Sequence, residues 1–333
     1  MTKPELRPFD ENMISSAGRL LAQRHRRNRA LMPVLPARFE DPEVSAEAVA
    51  TTWKRGFSSG CAAFDGEAMV AYLFGECVVD AQRGRHVWMH LPGHALADGL
   101  DAELYRDLYA AAGSGWLERG HFDHYVMAPA GDRDAVEAFF ALSFGKEQAH
   151  AICDLNSLQP SLQPASSGAW AIRQAIKADR DLLAEAAGWI PQRLAGAPVW
   201  GAMLPERLGD RRQQYAAIVD DDTATVWLAE EDGRLVGIAV YFSEEPVADD
   251  LQIGEDCATF AVGATRPGER GRGIATALTH HGLADLRAHG FRTCLTDWRV
   301  ANLEASRLWP RFGFETAVYR LVRRVDPRIA WAR

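Results

Sequence analysis

Cysteine is scarce in this sequence, and the five that occur lie far apart. They are Cys61, Cys77, Cys153, Cys257 and Cys294, and no two of them have the C-x-x-C spacing of a zinc or redox site. An odd number of scattered cysteines favours free thiols in the cytoplasm over a disulfide framework. The ten histidines form no H-E-x-x-H or mixed His/Cys ligand set, so we expect no bound metal.

Long apolar runs and an excess of basic charge are also missing. No stretch of about 18 apolar residues is free of charge, and the first residues form no apolar signal segment. The formal net charge is -8 at pH 7 and the pI is near 5.7, a balance that repels a polyanion. The sequence therefore predicts a cytoplasmic protein whose partners are neither membranes nor nucleic acids.

What the sequence does contain is two halves that repeat each other. Asp65-Gly66 and Asp232-Gly233 each join two apolar runs, as in tight hairpins. Residues 132–144 align without a gap to residues 302–314, because both follow the pattern Asp/Asn-x-x-Ala-x-x-apolar-aromatic-x-x-apolar-Ser/Gly-Phe. A short strand before a helix, at residues 6–8 and 172–174, gives a third match at nearly the same offset. Such agreement over separate elements indicates a duplicated fold.

The length and one polar stretch divide the chain at this repeat. A chain of 333 residues has room for two domains of about 150 residues each. Residues 154–168 are rich in Ser, Pro and Gln and carry no charge after Asp154, which is typical of a linker. We predict one domain at 1–153, a linker at 154–168 and a second domain at 169–333.

A glycine-rich turn lies between a buried strand and a helix in the second half. Residues 257–265 form an apolar run, and apolar residues recur at helical spacing from 273 to 290. Such a junction directs backbone N–H groups and the positive end of the helix dipole at an anion. Arg270 and Arg272 would add charge-assisted hydrogen bonds to phosphate. The turn lacks the lysine of a P-loop and the G-x-G-x-x-G spacing of a dinucleotide fold.

These residues resemble a known family. Arg270-x-x-Gly273-x-Ala275 matches the Q/R-x-x-G-x-G/A signature of the GNAT N-acetyltransferases, and residues 302–314 resemble the family's second coenzyme A motif, N-x-x-A-x-x-L-Y-x-x-x-G-F. The resemblance covers residues 170–325 well and the first half more faintly. It implies an α/β fold of the α+β mixed-sheet kind: two tandem GNAT-like domains, each a mostly antiparallel sheet flanked by helices. The layout is similar to tandem GNAT proteins such as mycothiol synthase, in which one domain carries the chemistry.

The first half has only a weak counterpart of the glycine turn. Residues 90–96 offer one glycine and no arginine, so a diphosphate would find few backbone donors and no cation there. We therefore predict that residues 1–153 are a degenerate copy beside the acceptor site and that the second half is catalytic.

The resemblance also implies which residues hold the acyl donor, acetyl-CoA. Backbone groups of the strand before the turn would bind the pantetheine arm and polarise the thioester, while the turn would bind the pyrophosphate. The helix that begins at Asn302 would line the other side. The implied contacts are Gly263, Ala264, Thr265, Arg270, Gly271, Arg272, Gly273, Ile274, Ala275, Thr276, Asn302, Ser306 and Trp309.

Two catalytic positions depart from the family's pattern. Where many members have a carboxylate as general base this chain has Thr259, and where they have a tyrosine as acid it has Trp309. A threonine hydroxyl is no base near neutral pH, and an indole N–H is no usable acid. Asp297, at the end of the next strand, is the best substitute, with Glu255 and Asp256 as alternatives. Each of these three carboxylates also fits a solvated strand end.

An acidic segment and the missing base leave several functions open. Residues 244–256 carry six carboxylates and no cation, which favours a solvated loop; at the rim of an acceptor site this loop would favour a cationic amine. We expect an N-acyltransferase in which a small-molecule amine attacks the acyl-CoA directly, acting as a monomer or homodimer. The alternatives are a GNAT-like acyl-CoA hydrolase or decarboxylase, which would explain the missing base and acid, and a non-catalytic acyl-CoA-binding module.

Overall fold

The computed structural model describes residues 4–158 and 170–332, which form two compact units. Unit 1 contains the described residues up to His150, the segment Pro246–Gly254 and the residues from Thr316 onward. Unit 2 contains the described parts of Ala151–Glu245 and Glu255–Glu315. Residues 159–168 of the predicted linker lie outside the described residues. The domain boundaries at 153 and 169 stay a prediction, and the units differ from them by assigning two second-half segments to unit 1.

Unit 1 is a mixed sheet with helices against both faces. Its strands, numbered along the chain, are β1 (Glu5–Pro8), β2 (Phe57–Asp65), β3 (Ala68–Asp80), β4 (Gly84–Met89), β5 (His94–Leu96), β6 (Asp123–Pro129), the first part of β7 (Gly145–Asp154) and nearly all of β13 (Glu315–Arg324). Its helices are α1 (Ile14–Leu31), α2 (Pro42–Trp53), α3 (Leu104–Glu118) and α4 (Arg133–Ala141). Neighbouring strands follow the order β1-β2-β3-β4-β6-β13, with β5 beside β3. The strands β4 and β6 run parallel, and the other pairs in this order are antiparallel.

The alternation of side chains along β3 explains the two helical layers of unit 1. Ala71 and Leu73 belong to a core that includes α3 and α4. The alternate residues Tyr72 and Phe74 contact Phe9 on the opposite face, where α1 and α2 pack. Because successive strand residues point to opposite faces, a strand that is apolar at every position is buried on both sides.

Strand β13 comes from the end of the chain but completes the sheet of unit 1. It pairs antiparallel with β6, from Val318 opposite Pro129 to Arg324 opposite Asp123. Within the same unit, the Arg320 guanidinium donates to the Glu147 carboxylate over 2.7 Å. The pairing joins residues that are 189 to 201 positions apart in the sequence.

Unit 2 is a second mixed sheet of similar build. Its own strands are β8 (Ala171–Gln174), β9 (Ala224–Glu231), β10 (Arg234–Glu244), β11 (Cys257–Thr265) and β12 (Thr293–Arg299), in that order, and only β11 and β12 run parallel. Its helices are α5 (Arg180–Ala186), α6 (Trp189–Ala195), α7 (Leu208–Ala217), α8 (Ile274–Ala288) and α9 (Leu303–Leu308). On β10, Ile238 and Val240 face a core with α5, α6 and α7, and α8 packs against Gly237 and Tyr241. The predicted mixed sheets, mostly antiparallel and flanked by helices, are confirmed.

The local geometry confirms the predicted repeat. Gly66 and Gly233 both have positive φ at hairpin turns, at 60° and 75°. Asp132 and Asn302 both cap a helix by accepting from the N–H three residues on. The same backbone bond then closes each helix, from Phe144 N–H to the carbonyl of residue 139 and from Phe314 N–H to that of residue 309.

Two kinds of feature are absent from the described ranges. Within residues 4–158 and 170–332 no helix is both long and apolar enough to cross a bilayer. Within the same ranges no three His, Cys, Asp or Glu side chains are grouped so that they could hold a metal ion.

Candidate active site

The site begins where β11 and β12 separate. The two strands pair only over Cys257–Thr259 and Thr293–Leu295, whereas β11 continues to pair with β10 as far as Thr265. The register with β10 shifts between Val240 and Tyr241, which leaves Ala261 as an extra residue in β11. A bulge bends a strand and strengthens its twist. The edge of β11 beyond Thr259 therefore has no ladder with β12, and Ala261 and Gly263 on it are exposed.

A tight aromatic floor lies beneath this strand edge. Phe260 stacks on Tyr241 at 4.3 Å and meets Trp309 edge-on at 5.0 Å between ring centroids. A Cβ placed on Gly263 would lie 3.1 Å from Phe260 Cζ and 3.6 Å from Trp309 Cη2. Glycine at 263 thus keeps the strand close to the floor, while Ala264 is buried and Thr265 is half-buried.

The predicted glycine turn follows the strand and leads into α8. Gly268, Gly271 and Gly273 all have positive φ, at 91°, 79° and 85°, a region that L-residues other than glycine rarely adopt. Gly273 is the N-cap of α8, and no side chain of the described residues caps this helix end. The first-turn N–H groups of Ile274, Ala275 and Thr276 have no partner within a helix. The turn is exposed and a Cβ on Gly271 or Gly273 would meet nothing within 4 Å.

Two further glycines hold α8 against the sheet. A Cβ on Gly237 would lie 2.6 Å from Ile274 Cγ2, and a Cβ on Gly282 would lie 2.3 Å from the Tyr241 ring. Both contacts are closer than ordinary carbon packing of about 3.5–4.0 Å. Sequence reasoning missed both residues, since a lone glycine in a strand or helix gives only a weak hint of close approach.

The two arginines of the turn differ in their surroundings. Arg272 donates to the Glu231 carboxylate over 2.6 and 2.8 Å and also pairs with Glu269, so two carboxylates surround this guanidinium. The hydrogen bonds that Arg272 donates to these carboxylates raise the pKa of its guanidinium. Arg270 is exposed, and its guanidinium donates to the Trp189 carbonyl over 3.5 Å.

Arg270 also lies near the second motif. The pKa of Glu304 is lowered, chiefly by a 2.9 Å hydrogen bond from Arg193 and additionally by the charge of Arg270. Glu304 sits in the first turn of α9. The charge of Arg270, in the glycine turn, therefore acts on the first turn of the helix that begins after Asn302.

Asn302 and Ser306 shape α9. The Asn302 side chain accepts from Ala305 N–H at 3.5 Å, as an N-cap does. Ser306 donates to the Val300 carbonyl over 2.9 Å and accepts from the Trp298 indole over 3.1 Å. The side chain of Ser306 thus ties α9 to the end of β12.

The catalytic candidates divide into two groups. Thr259 is paired with Leu295, so the two side chains share one face of the sheet, and Asp297 lies on that face two residues further along β12. Thr259 and Asp297 therefore flank the point where the strands separate, and Asp297 is exposed. Trp309 is 8% exposed and packs against Phe260 and Phe314. The structure makes it part of the aromatic floor. Glu255 and Asp256 precede β11, at the end remote from the separation.

The corresponding segment of unit 1 is closed. Residues 91–93 form one turn of 3-10 helix that is buried and leads into β5, and α3 begins only at Leu104. A Cβ on Gly93 would lie 2.8 Å from the Phe74 carbonyl. Residues 90–96 themselves contain no arginine, but Arg24 of α1 lies against them. Its guanidinium donates to the Leu91 carbonyl over 2.8 Å and to the His94 carbonyl.

The expectation that residues 244–256 form a solvated loop is wrong for the middle of this segment. Pro246–Gly254 belong to unit 1. Asp249 is buried, with its carboxylate 2.6 Å from the Arg55 guanidinium and 3.2 Å from the Thr52 hydroxyl. The carboxylate lies there because an arginine compensates its desolvation. This neutralisation weakens the charge argument for a cationic acceptor.

Comparison with known proteins agrees with this geometry. Residues 197–314 match the acetyltransferase (GNAT) family. This part of the chain is therefore similar to a GNAT domain. The mycothiol acetyltransferase of Streptomyces avermitilis is 33% identical over 129 residues, covering 39% of this chain and 38% of the relative. That of Cellulomonas flavigena is 38% identical over 100 residues, covering 29% and 28%. The chain thus aligns with well under half the length of these relatives.

Solved structures extend the likeness to the whole fold. A GCN5-related N-acetyltransferase from Sphaerobacter thermophilus has a TM-score of 0.59 at 16% identity, covering 98% of this chain and 96% of that one. A tandem GNAT protein from the clavulanic acid biosynthesis pathway has a TM-score of 0.55 at 15% identity, covering 98% and 99%. The resemblance to tandem GNAT proteins similar to mycothiol synthase is confirmed, and the family supports acyl transfer in general.

Proposed function

We propose that this chain is an acetyl-CoA dependent N-acetyltransferase whose acceptor is an amine of a small molecule. The observation that carries the proposal is the separation of β11 from β12 beside the uncapped N-terminus of α8. A strand edge without a ladder can bind an amide-containing arm, and a helix N-terminus can bind a diphosphate. The mycothiol acetyltransferases among the relatives support an acetyl donor and a small acceptor.

The residues present fit coenzyme A. The space in front of Gly271 and Gly273 is open, and the N–H groups of residues 274–276 together with the exposed Arg270 would hold the pyrophosphate. Arg272, surrounded by two carboxylates, would contribute less. The edge from Gly263 to Thr265 would hold the pantetheine arm and donate to the acyl carbonyl. When bound, acetyl-CoA supplies an acetyl group activated as a thioester.

The remaining chemistry falls to side chains at the strand separation. Asp297 is an exposed carboxylate on the same face as Thr259, and we assign it the role of accepting the proton of the attacking amine. Thr259 would orient the amine by a hydrogen bond. Trp309, together with Phe260, would exclude water from the thioester side of the strand.

Binding is tested by removing the cradle. Replacing Arg270 by glutamine and Gly273 by valine should lower acetyl-CoA affinity at least tenfold, because a cation is lost and valine cannot adopt a φ near 85° without strain. Isothermal titration with acetyl-CoA measures the loss. Arg287→Gln is the matched control, since Arg287 is exposed in the last turn of the same helix. Unchanged affinity in the double variant would refute the site.

Catalysis is tested separately through the carboxylate. Asp297→Asn should reduce amine acetylation by about 10²-fold or more while acetyl-CoA still binds, because an amide cannot accept the proton. The measurement is coenzyme A release with a panel of cationic, neutral and anionic amines. Unchanged amine acetylation by Asp297→Asn would refute the role assigned to Asp297.

One observation favours a second function. Trp309 is buried in the aromatic floor where the family's acid stands. The site therefore suits decarboxylation of an acyl-CoA, which leaves the thioester intact and has no thiolate to protonate, and hydrolysis is the related reaction in which water replaces the amine. Without any amine, release of coenzyme A from acetyl-CoA would support hydrolysis, and conversion of malonyl-CoA into acetyl-CoA and carbon dioxide would support decarboxylation. Binding without turnover across the panel would indicate a non-catalytic acyl-CoA-binding module.

A further inference from the structure

Unit 1 contains a cavity of about 540 Å³ that is separate from the site in unit 2. A volume of this size suits a small organic ligand, since such sites commonly measure about 300–1,000 Å³. The lining is mostly apolar, with a few buried polar side chains between the apolar ones. The residues used below are Arg24, Asn28, Leu35, Leu91, Gln252 and Val318.

The charge of the lining is of one sign. Arg24 and Arg133 are among the described lining residues, and none of these is an Asp or Glu. Arg24 is fully buried, and the hydrogen bonds of its terminal nitrogens go to the neutral Leu91 and His94 carbonyls. Burying a cation without a compensating anion is costly. The site therefore suits an anionic ligand.

Two buried polar atoms in this lining have no hydrogen-bond partner among the described residues. They are Arg24 Nε, a donor, and Gln252 Oε1, an acceptor. Burial raises the pKa of the Asp250 carboxyl, and a hydrogen bond from the Gln252 side chain opposes this rise. Only the amide nitrogen of Gln252 can donate such a bond to a carboxylate, which leaves Oε1 as the acceptor. Unpaired buried polar groups are rare in native proteins and point to a missing ligand or water.

We propose that this cavity binds a small organic acid that carries a hydroxyl or amide N–H beside its carboxylate. The carboxylate accepts from Arg24 Nε, and the hydroxyl or N–H donates to Gln252 Oε1. The apolar body of the acid packs against Leu35, Leu91 and Val318. This proposal does not depend on the function proposed for unit 2.

The test compares three probes of nearly equal size on the full-length protein. They are 2-hydroxy-4-methylpentanoate, 4-methylpentanoate, which lacks the donor, and 2-hydroxy-4-methylpentanamide, which lacks the charge. Isothermal titration should show saturable 1:1 binding of the hydroxy acid. Loss of either group should weaken binding about tenfold or more, as for a buried charge-assisted hydrogen bond left unmade.

A variant then assigns the hydroxyl contact to its partner. Gln252→Met keeps the length of the side chain but removes the acceptor, so the hydroxy acid and 4-methylpentanoate should bind alike. Gln82→Met is the matched control, because Gln82 is exposed in a turn of unit 1 and does not line the cavity. Hydrogen exchange on the wild-type protein gives a second readout, with protection expected in α1 and in residues 246–254.

The outcomes decide the proposal. Dependence on both the charge and the hydroxyl, together with loss of the hydroxyl preference in Gln252→Met, supports it. Absence of binding, equal binding of all three probes, or protection only around residues 270–276 overturns it. Retention of the hydroxyl preference in a folded Gln252→Met variant overturns it as well.

Discussion

Replacing Gly282 by alanine would bring the backbone of α8 into conflict with a buried ring. The added Cβ would lie 2.3, 2.4 and 2.5 Å from Cε2, Cζ and Oη of Tyr241. Carbon atoms in contact prefer about 3.5–4.0 Å, so the ring or the helix must move by more than 1 Å. Tyr241 is 1% exposed and stacks on Phe260 at 4.3 Å, which leaves the ring little room to move.

The expected cost follows from two opposed effects. Overpacking of a core costs about 1–3 kcal/mol, and a displacement of this size belongs at the upper end. The better helix propensity of alanine offsets about 1 kcal/mol. We therefore expect Gly282→Ala to lower the free energy of unfolding by about 2 kcal/mol, measured by urea denaturation followed by both fluorescence and circular dichroism.

A control and a compensating change sharpen this prediction. Gly113→Ala in α3 should be neutral or stabilising by about 0.5–1 kcal/mol, because its Cβ would meet Tyr109 at an ordinary 3.8 Å. Adding Tyr241→Leu to Gly282→Ala should restore stability relative to the sum of the single changes. A Gly282→Ala variant within about 0.5 kcal/mol of the wild type would refute the reasoning.

Two other predictions rest on burial in or next to the sheets. Burial lowers the pKa of His94 to about 3 and that of His124 to about 4, so both are neutral in the folded protein while the unfolded chain takes up protons near pH 6.5. As the pH is lowered from 6.5 to 4, the free energy of unfolding should fall by up to about 1.4 kcal/mol per pH unit for each histidine. Urea denaturation at several pH values measures this fall, and urea midpoints that rise on acidification would contradict it. Burial likewise raises the pKa of the Cys153 thiol to about 12. A disulfide reagent at pH 8 should therefore modify the half-buried Cys77 before it modifies Cys153. Modification of Cys153 first would contradict this prediction.

The sequence allowed the local parts of this fold to be predicted. Asp232-Gly233 specifies a hairpin because both residues adopt positive φ, at 49° and 75°. Asn302 caps a helix by accepting a hydrogen bond from the backbone N–H three residues further on, as Asp132 does in the first half. The glycine turn could be located because Gly271 and Gly273 have the backbone conformation that their spacing suggested.

The features that could not be predicted depend on partners distant in the chain. The apolar pattern of β13 indicates a strand but not that β6 is its neighbour. The sequence of residues 246–254 predicts solvated carboxylates, because it does not show that Arg55 pairs with Asp249 in the folded protein. The ion pairs of Arg272 likewise need Glu231 from β9. Periodicity reports the environment of a residue along its own element and carries no information on which element supplies it.

The pairing of β13 with β6 also has a consequence for biosynthesis. Every strand of unit 2 is translated before β13. Once β6 has been translated, about 190 further residues must be added before β13, the strand that pairs with the β6 edge, is available. At about 5–20 residues per second this interval lasts about 10–40 seconds. During that time β6 presents unpaired N–H and C=O groups, which are a template for incorrect strand pairing. A premature stop near codon 314 removes β13. We therefore expect it to impair folding of the first half of the protein, although the coding sequence of that half is unchanged.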